Sequence, residues 1–418
     1  MKASHRYACA LGALTLVLNS AARADDMDRD RDRDRRNGPS AFVDCGAGDT
    51  IARALSRGDE RKSLVIRIQG SCSENLLVSR GDVTLLAAAP GATLSGPDPT
   101  LDTIRVTGSR VTIDGLTVTG GRNGVAGDGA AGLAVRNAAV QATGRSGVIF
   151  IQGTSGLVDS SMVTGNPRDG VAIDSATGVV VNSQISQNGR MGVGVFNSGS
   201  GRIGIDSANN PGGNTISANA VNGVHIVFGS AAVVGMNQIA GNGVGAAGGT
   251  GINVVSASAD IVGGNTVSGN NGTGINLRSS SALIGDANFG LTTVNTVSGN
   301  GTAASQGGVS GFLGSSMSIR DAVITGNFGF GLIATTRSSI QIQSTTIQNN
   351  LPIGGSTGDG IRVVLGSALF AQTPNGVVTG NAGFGLLCTD TESSVVNTVL
   401  LGIGPNASGT VSPGCTGF

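Results

Sequence analysis

The sequence predicts an all-β chain built as one long solenoid of stacked strands. Three observations lead there. Glycine fills 71 of 418 positions, more than twice its average share of about 7%, without the strict G-x-y period of collagen. Short near-copies recur: NTISAN at 214–219 and NTVSGN at 265–270 and 295–300. Apolar residues alternate inside each copy, as in Val224-His225-Ile226 and Ile275-Asn276-Leu277, which is the two-residue period of a strand.

The repeat sets the stacking. Glycine followed by an apolar residue returns at 124, 147, 170, 192, 223, 251, 274, 308, 331, 360 and 385. The base spacing is 22 or 23 residues, and the longer gaps are loop insertions. No helical period interrupts it. One unit cannot bury its own apolar face, so units must stack, with strands paired in parallel and equivalent residues one above another. Asparagines at 166, 188, 219, 242, 270, 300, 327 and 381 suit the corners in two ways. Asn tolerates left-handed backbone angles, and stacked amides bond to one another. At about 4.8 Å per turn, residues 40–418 make a single domain of about 15 turns and about 70 Å.

The N-terminal segment reads as a leader. Lys2 and Arg6 precede the apolar run Ala8–Leu18, and Ala22-Arg23-Ala24 is a small-x-small cleavage site, so residues 1–24 are expected to be a signal peptide. The apolar run is too short to span a bilayer. Residues 25–39 carry a mixed-charge run, DDMDRDRDRDRRNG, which cannot build a core and reads as a flexible linker. A secreted or periplasmic location follows. Four cysteines remain after cleavage, and Cys45 and Cys72, like Cys388 and Cys415, lie 27 positions apart, about one turn. Residues a turn apart sit roughly 4.8 Å from each other, inside the range disulfides accept. Each pair is expected to staple one end of the solenoid, consistent with an oxidising compartment. Neither a CxxC motif nor a neighbouring histidine suggests a metal.

Several stretches carry a family resemblance. Asp49–Leu55 (DTIARAL) looks like a short amphipathic capping helix, and residues 63–78 and 83–87 look like first coils. Residues 111–121, VTIDGLTVTGG, form a typical coil sequence. Over roughly 40–418 the chain resembles the pectate-lyase-like parallel β-helix family. The resemblance implies a single right-handed parallel β-helix solenoid with a short N-terminal capping helix. It implies little about function, which lives in sites grafted on the fold.

Two columns stand out when the coils are aligned. Two positions before the repeat glycine stand Arg122, Arg145, Arg168 and Arg190, spaced 23, 23 and 22. Stacking would set them about 5 Å apart, where like charges repel by about 1 kcal/mol per close pair at a surface. A carboxylate such as Asp169 or Asp128, splaying, or an anionic ligand would offset that. Arginine grips carboxylates in two-pronged fashion, so a polyanion along the axis is the natural partner; exposed turn arginines are the plain alternative. The turn Asn166-Pro167-Arg168-Asp169-Gly170 resembles in part the Asp-Pro-His-Asp signature of β-helix uronan epimerases, with two of the four positions different, the histidine among them. By resemblance to pectate lyases, Arg168 takes the place of an arginine base, without the family's cluster of aspartates. The second column, two positions after the glycine, holds His225, Asn253 and Asn276, with Arg278 two further on; Asp174 and Phe196 occupy that further column on earlier coils. His225 is the one ordinary base candidate left after cleavage, and a strand residue at the surface is the plain alternative.

The absences limit the chemistry. Net formal charge is +0 and the chain has no Trp. After cleavage no Tyr remains and Lys62 is the sole lysine. Polygalacturonase-type aspartate pairs and the calcium-binding GGxGxDxUx nonapeptide do not occur. No cofactor, metal or nucleic-acid partner is indicated. Three readings follow: an extracellular or periplasmic scaffold that binds or adheres to acidic polysaccharide through the arginine ladder; a lyase or epimerase of uronic-acid polymers working through Arg168, Asp169 or His225; and a purely structural rod.

Overall fold

Each repeat unit folds into three short strands. One coil runs through Val111–Asp114, Thr117–Gly120 and Val125–Asp128. The next runs through Ala131–Arg136, Ala139–Thr143 and Val148–Ile151. In the computed structural model, residues 40–57, 62–245, 248–285, 293–373 and 376–415 are described. The expected leader (1–24) and linker (25–39) lie outside them. Matching strands of successive coils pair in parallel into sheets A, B and C, of 15, 14 and 14 strands among the described residues. The chain visits A, B and C in turn and forms a right-handed β-helix. Register steps by one coil at a time, as in Val125↔Val148, Val148↔Val171 and Val171↔Val193.

The interior is filled from all three sheets by the alternating apolar residues. Val125, Val148, Phe150, Val171, Ile173, Val193 and Val195 of sheet C are wholly buried. β-Branched side chains suit the pleated surface and dominate here.

The corner between sheets B and C holds an asparagine ladder. Asn219 donates both its backbone N–H (3.1 Å) and its side-chain amide (2.9 Å) to Asn242 Oδ1. Asn242 does the same to Asn270 at 3.0 and 2.9 Å. The ladder runs from Asn166 to Asn406 and includes Asn350. One expected role for these asparagines is corrected. From Asn166 to Asn381 the left-handed angle belongs to the residue before each one, such as Gln187, Ala218 or Gly241. A residue there needs only to turn the chain, whereas the buried asparagine must satisfy the polar backbone at the corner.

Both ends are closed. The helix Ile51–Leu55 is capped by Thr50, whose side chain accepts from Arg53 N, and buries Ile51 and Ala54. Glu74 accepts from the N–H groups of Ile51 (2.7 Å) and Ala52 (3.0 Å), a carboxylate at a helix N-terminus. Cys45–Cys72 and Cys388–Cys415 form disulfides with Cα separations of 5.2 and 4.8 Å, one coil apart as the spacing required. Among the described residues no helix is long and apolar enough to cross a membrane.

Candidate functional site

Around residue 168 the corner from sheet B to sheet C, residues 165–170, is longer than the two other corners of its coil, and it builds one wall of a groove. The floor is the outward column of sheet C: Arg105, Ala126, Ile149, Ala172, Gly194 and His225 stand in register. Small residues in mid-column leave the floor low, and the resulting groove holds about 560 Å³. A Cβ at Gly194 would lie 2.3 Å from the Phe196 ring, which folds back over it and would have to swing away.

All four ladder arginines line this groove. The backbone stacks them: Arg168 N donates to Arg145 O (2.9 Å), and Arg190 N to Arg168 O (2.8 Å). Arg122 is exposed, and Arg145, Arg168 and Arg190 are half-buried. Neither Asp169 nor Asp128 neutralises the middle of the row. Asp128 pairs with Arg105, and Asp169 pairs with Arg190. Among the described residues, the guanidiniums of Arg122, Arg145 and Arg168 meet no carboxylate or hydrogen-bond acceptor. Burial, and then the positive charge of Arg190, hold the Arg168 guanidinium below its ordinary value; Asp169 opposes this, while Arg145 and Arg122 add to it. Five arginines and three aspartates line the groove, an excess of two positive charges in a chain of formal charge +0.

Asp169 is 1% exposed. Its carboxylate accepts from Arg190 Nε (2.8 Å) and Nη2 (2.7 Å) and from Met191 N (3.3 Å). The same arginine lies 5.3 Å over the Phe196 ring. The pair therefore fixes the wall against the floor. A carboxylate so occupied is a structural anchor before it is a proton acceptor.

His225 sits 6.1 Å from Phe196, ring centre to ring centre. Its Nδ1 lies 3.2 Å from Asn222 Nδ2 and 3.0 Å from Asn253 Nδ2. Asn253 accepts from Asn276 (2.7 Å), which accepts from Ser310 (2.7 Å). Burial, reinforced by Arg190 and opposed by Asp169, pushes the imidazole down to about 4, so it is neutral at ordinary pH.

The structure thus gathers Arg122, Arg145, Arg168, Arg190, Asp169, Asp174 and His225 around one groove. Asp174 Oδ1 accepts from Asn197 Nδ2 at 2.8 Å. Asn253 and Asn276 stand behind His225 rather than in the lining. Arg278 is exposed at the end of Ile275–Arg278, outside the groove. Sequence reasoning missed Arg105, Asp102 and Phe228, which also line it. The coil of Arg105 has Thr103 where later coils carry the repeat glycine, as the bond from Thr103 N to Asn123 O shows, so the glycine alignment passes over it. Phe228 is 64% exposed, with φ +58° at the corner after Val224–Val227. A bulky residue in that conformation is uncommon, but the angle belongs to the fold and no pattern in the sequence announces it.

A larger trough of about 660 Å³ lies on sheet A. Serines, alanines and scattered apolar residues line it, with Asp260 its one charged group. It lacks the converging charges that make the sheet C groove the candidate.

The fold recurs in solved structures. A crystal structure of a point mutant of the periplasmic alginate epimerase AlgG matches with a TM-score of 0.54 and 13% identity, covering 79% of this chain and 84% of that one. The AlgG structure without that mutation matches with a TM-score of 0.51 and 12% identity, covering 89% and 83%. No curated protein matches the chain by sequence. The right-handed β-helix region matches twice, at residues 99–239 and 238–400, and with three parallel sheets coiled over that whole span, the chain belongs to the right-handed β-helix family.

Proposed function

We propose that the chain is an exported binding or adhesion scaffold that holds an acidic polysaccharide lengthwise in the sheet C groove. One observation carries this reading. Three stacked arginines, Arg122, Arg145 and Arg168, form no ion pair among the described residues and line a groove that runs along the solenoid. Repelling charges held together by a rigid backbone are relieved by a ligand with repeated carboxylates. A uronic-acid polymer has them. That the same fold serves an alginate epimerase agrees with this ligand class. Two disulfides suit an oxidising compartment.

The second reading is a lyase or epimerase of uronic-acid polymers. It draws on the lowered Arg168, the direction an arginine base requires. Asp169 is already engaged by Arg190, which favours binding over turnover.

The test is binding of the full chain to polygalacturonate, alginate and a neutral glucan at low and high salt, with unsaturated-product absorbance followed in parallel. Each solvated arginine–carboxylate pair contributes up to about 1 kcal/mol, so Arg122→Ala, Arg145→Ala and Arg168→Ala together should weaken Kd roughly a hundredfold. Binding that salt and the triple variant leave unchanged would overturn the ladder as the site. Product formation that is lost in Arg168→Ala would establish the enzyme reading instead.

A further inference from the structure

We propose that His225 is locked by its neighbours as the Nε2–H tautomer and serves the groove as a neutral hydrogen-bond donor, not as a proton acceptor. Its role toward the ligand rests on the groove binding an acidic polysaccharide; the tautomer itself does not.

The lock can be traced bond by bond. Asn222 Oδ1 accepts from the backbone N–H of Thr250 (2.8 Å) and from Thr250 Oγ1 (2.6 Å). A backbone N–H only donates, so the amide of Asn222 cannot be turned round, and its NH2 group must face Nδ1 of His225 at 3.2 Å. A second amide arrives from the other side. Ser310 Oγ donates to Asn276 Oδ1, Asn276 Nδ2 to Asn253 Oδ1, and Asn253 Nδ2 to the same Nδ1 at 3.0 Å. Nδ1 therefore faces two N–H donors and must offer its lone pair. A neutral imidazole carries one proton, which is then on Nε2.

Nε2 has no partner among the described residues and is not sealed from solvent. His225 lines the groove, so that N–H is what the ring presents to a ligand. A protonated nitrogen has no lone pair with which to remove a proton. The charged groups nearest in effect are Arg190 and Asp169, already paired with each other; neither takes the Nε2 proton. The natural complement is an acceptor oxygen, a carboxylate or hydroxyl of a uronate unit beyond the arginine row. This also bears on the two functional readings, because the sole histidine outside the leader is then unfit as a base in the free protein.

Long-range proton–nitrogen correlation spectra of the full chain test this directly. The chain has two histidines, and His225→Gln identifies the signals of His225. The expected result at neutral pH is an unprotonated Nδ1 and a protonated Nε2. Asn222→Asp would place a carboxylate oxygen against Nδ1 and should move the proton there. An Nδ1–H tautomer in the native protein, or an even mixture, overturns the proposal. Oligogalacturonate should then shift the Nε2–H resonance, and His225→Phe should weaken its binding roughly fivefold to tenfold, the worth of one hydrogen bond. Arginine-dependent binding that leaves Nε2–H unmoved overturns the donor role. Absence of any oligouronate binding overturns the polysaccharide reading, while the tautomer stands or falls on the spectra of the free protein.

Discussion

Asp169→Asn separates the two jobs of the groove wall. The carboxylate is buried, while the Arg190 side chain keeps 34% exposure. Removing one partner of a fully buried ion pair costs about 3–5 kcal/mol. Here water can reach Arg190, and asparagine can still accept one of the three hydrogen bonds now made to Asp169. The loss should therefore fall to about 2 kcal/mol, in line with the range for hydrogen bonds to charged groups. Neighbouring coils of a solenoid are coupled mainly to each other, so the damage should be local. Hydrogen exchange at Met191 and the next coils should quicken roughly thirtyfold, the equivalent of that energy. Coils near Cys388 should hardly change. Binding should move the other way. The variant adds one net positive charge to the groove and frees Arg190, so polyuronate should bind more tightly and with steeper salt dependence. Unchanged exchange at Met191 would refute the pairing as an anchor. Faster exchange with weaker binding would show that Asp169 itself serves the ligand.

Three further outcomes are expected. Asn242→Ala removes the acceptor of the Asn219 backbone and side-chain N–H groups and the donor to Ile216 O; buried groups left unpaired cost about 1–3 kcal/mol each, so the urea midpoint should fall and the Asn219 amide should exchange faster. His225 stays neutral in the fold down to about 4, whereas in the unfolded chain it charges near 6.5. Between those values the unfolded state binds the extra proton, so stability falls as pH drops through the window, by up to about 3 kcal/mol; urea titrations at neutral and mildly acidic pH should show this loss in the wild type and not in His225→Gln. Gly170→Ala would put a Cβ 2.5 Å from Ile185 Cγ2 and 2.7 Å from Gly192 O. Overpacking of this kind costs about 1–3 kcal/mol, and because the clash lies beside Arg168 and Asp169, a lower melting point should come with weaker polyuronate binding.

The coiled architecture was legible in the chain because every link in it is local or repeats. Alternating Val and Ile specify strands, a spacing of 22 or 23 residues specifies the turn of the coil, and 27 residues between cysteines specifies the staples. Repetition also aligned Arg122, Arg145, Arg168 and Arg190, since a constant period puts like positions in one column. What the period could not say is which partner each side chain takes. Asp169 follows Arg168 in sequence, yet its carboxylate turns to Arg190 a coil away, leaving the middle of the row without an ion-pair partner. The asparagine column was legible as a ladder of bonded amides, but not its backbone: the left-handed angle belongs to the residue before. His225 was visible as a lone histidine. Its tautomer was not, since that depends on Asn222, Thr250, Asn253, Asn276 and Ser310, which come from four coils. Periodicity determines where a residue stands. Only the packed structure decides which way its hydrogen bonds run and which charges are left for a ligand.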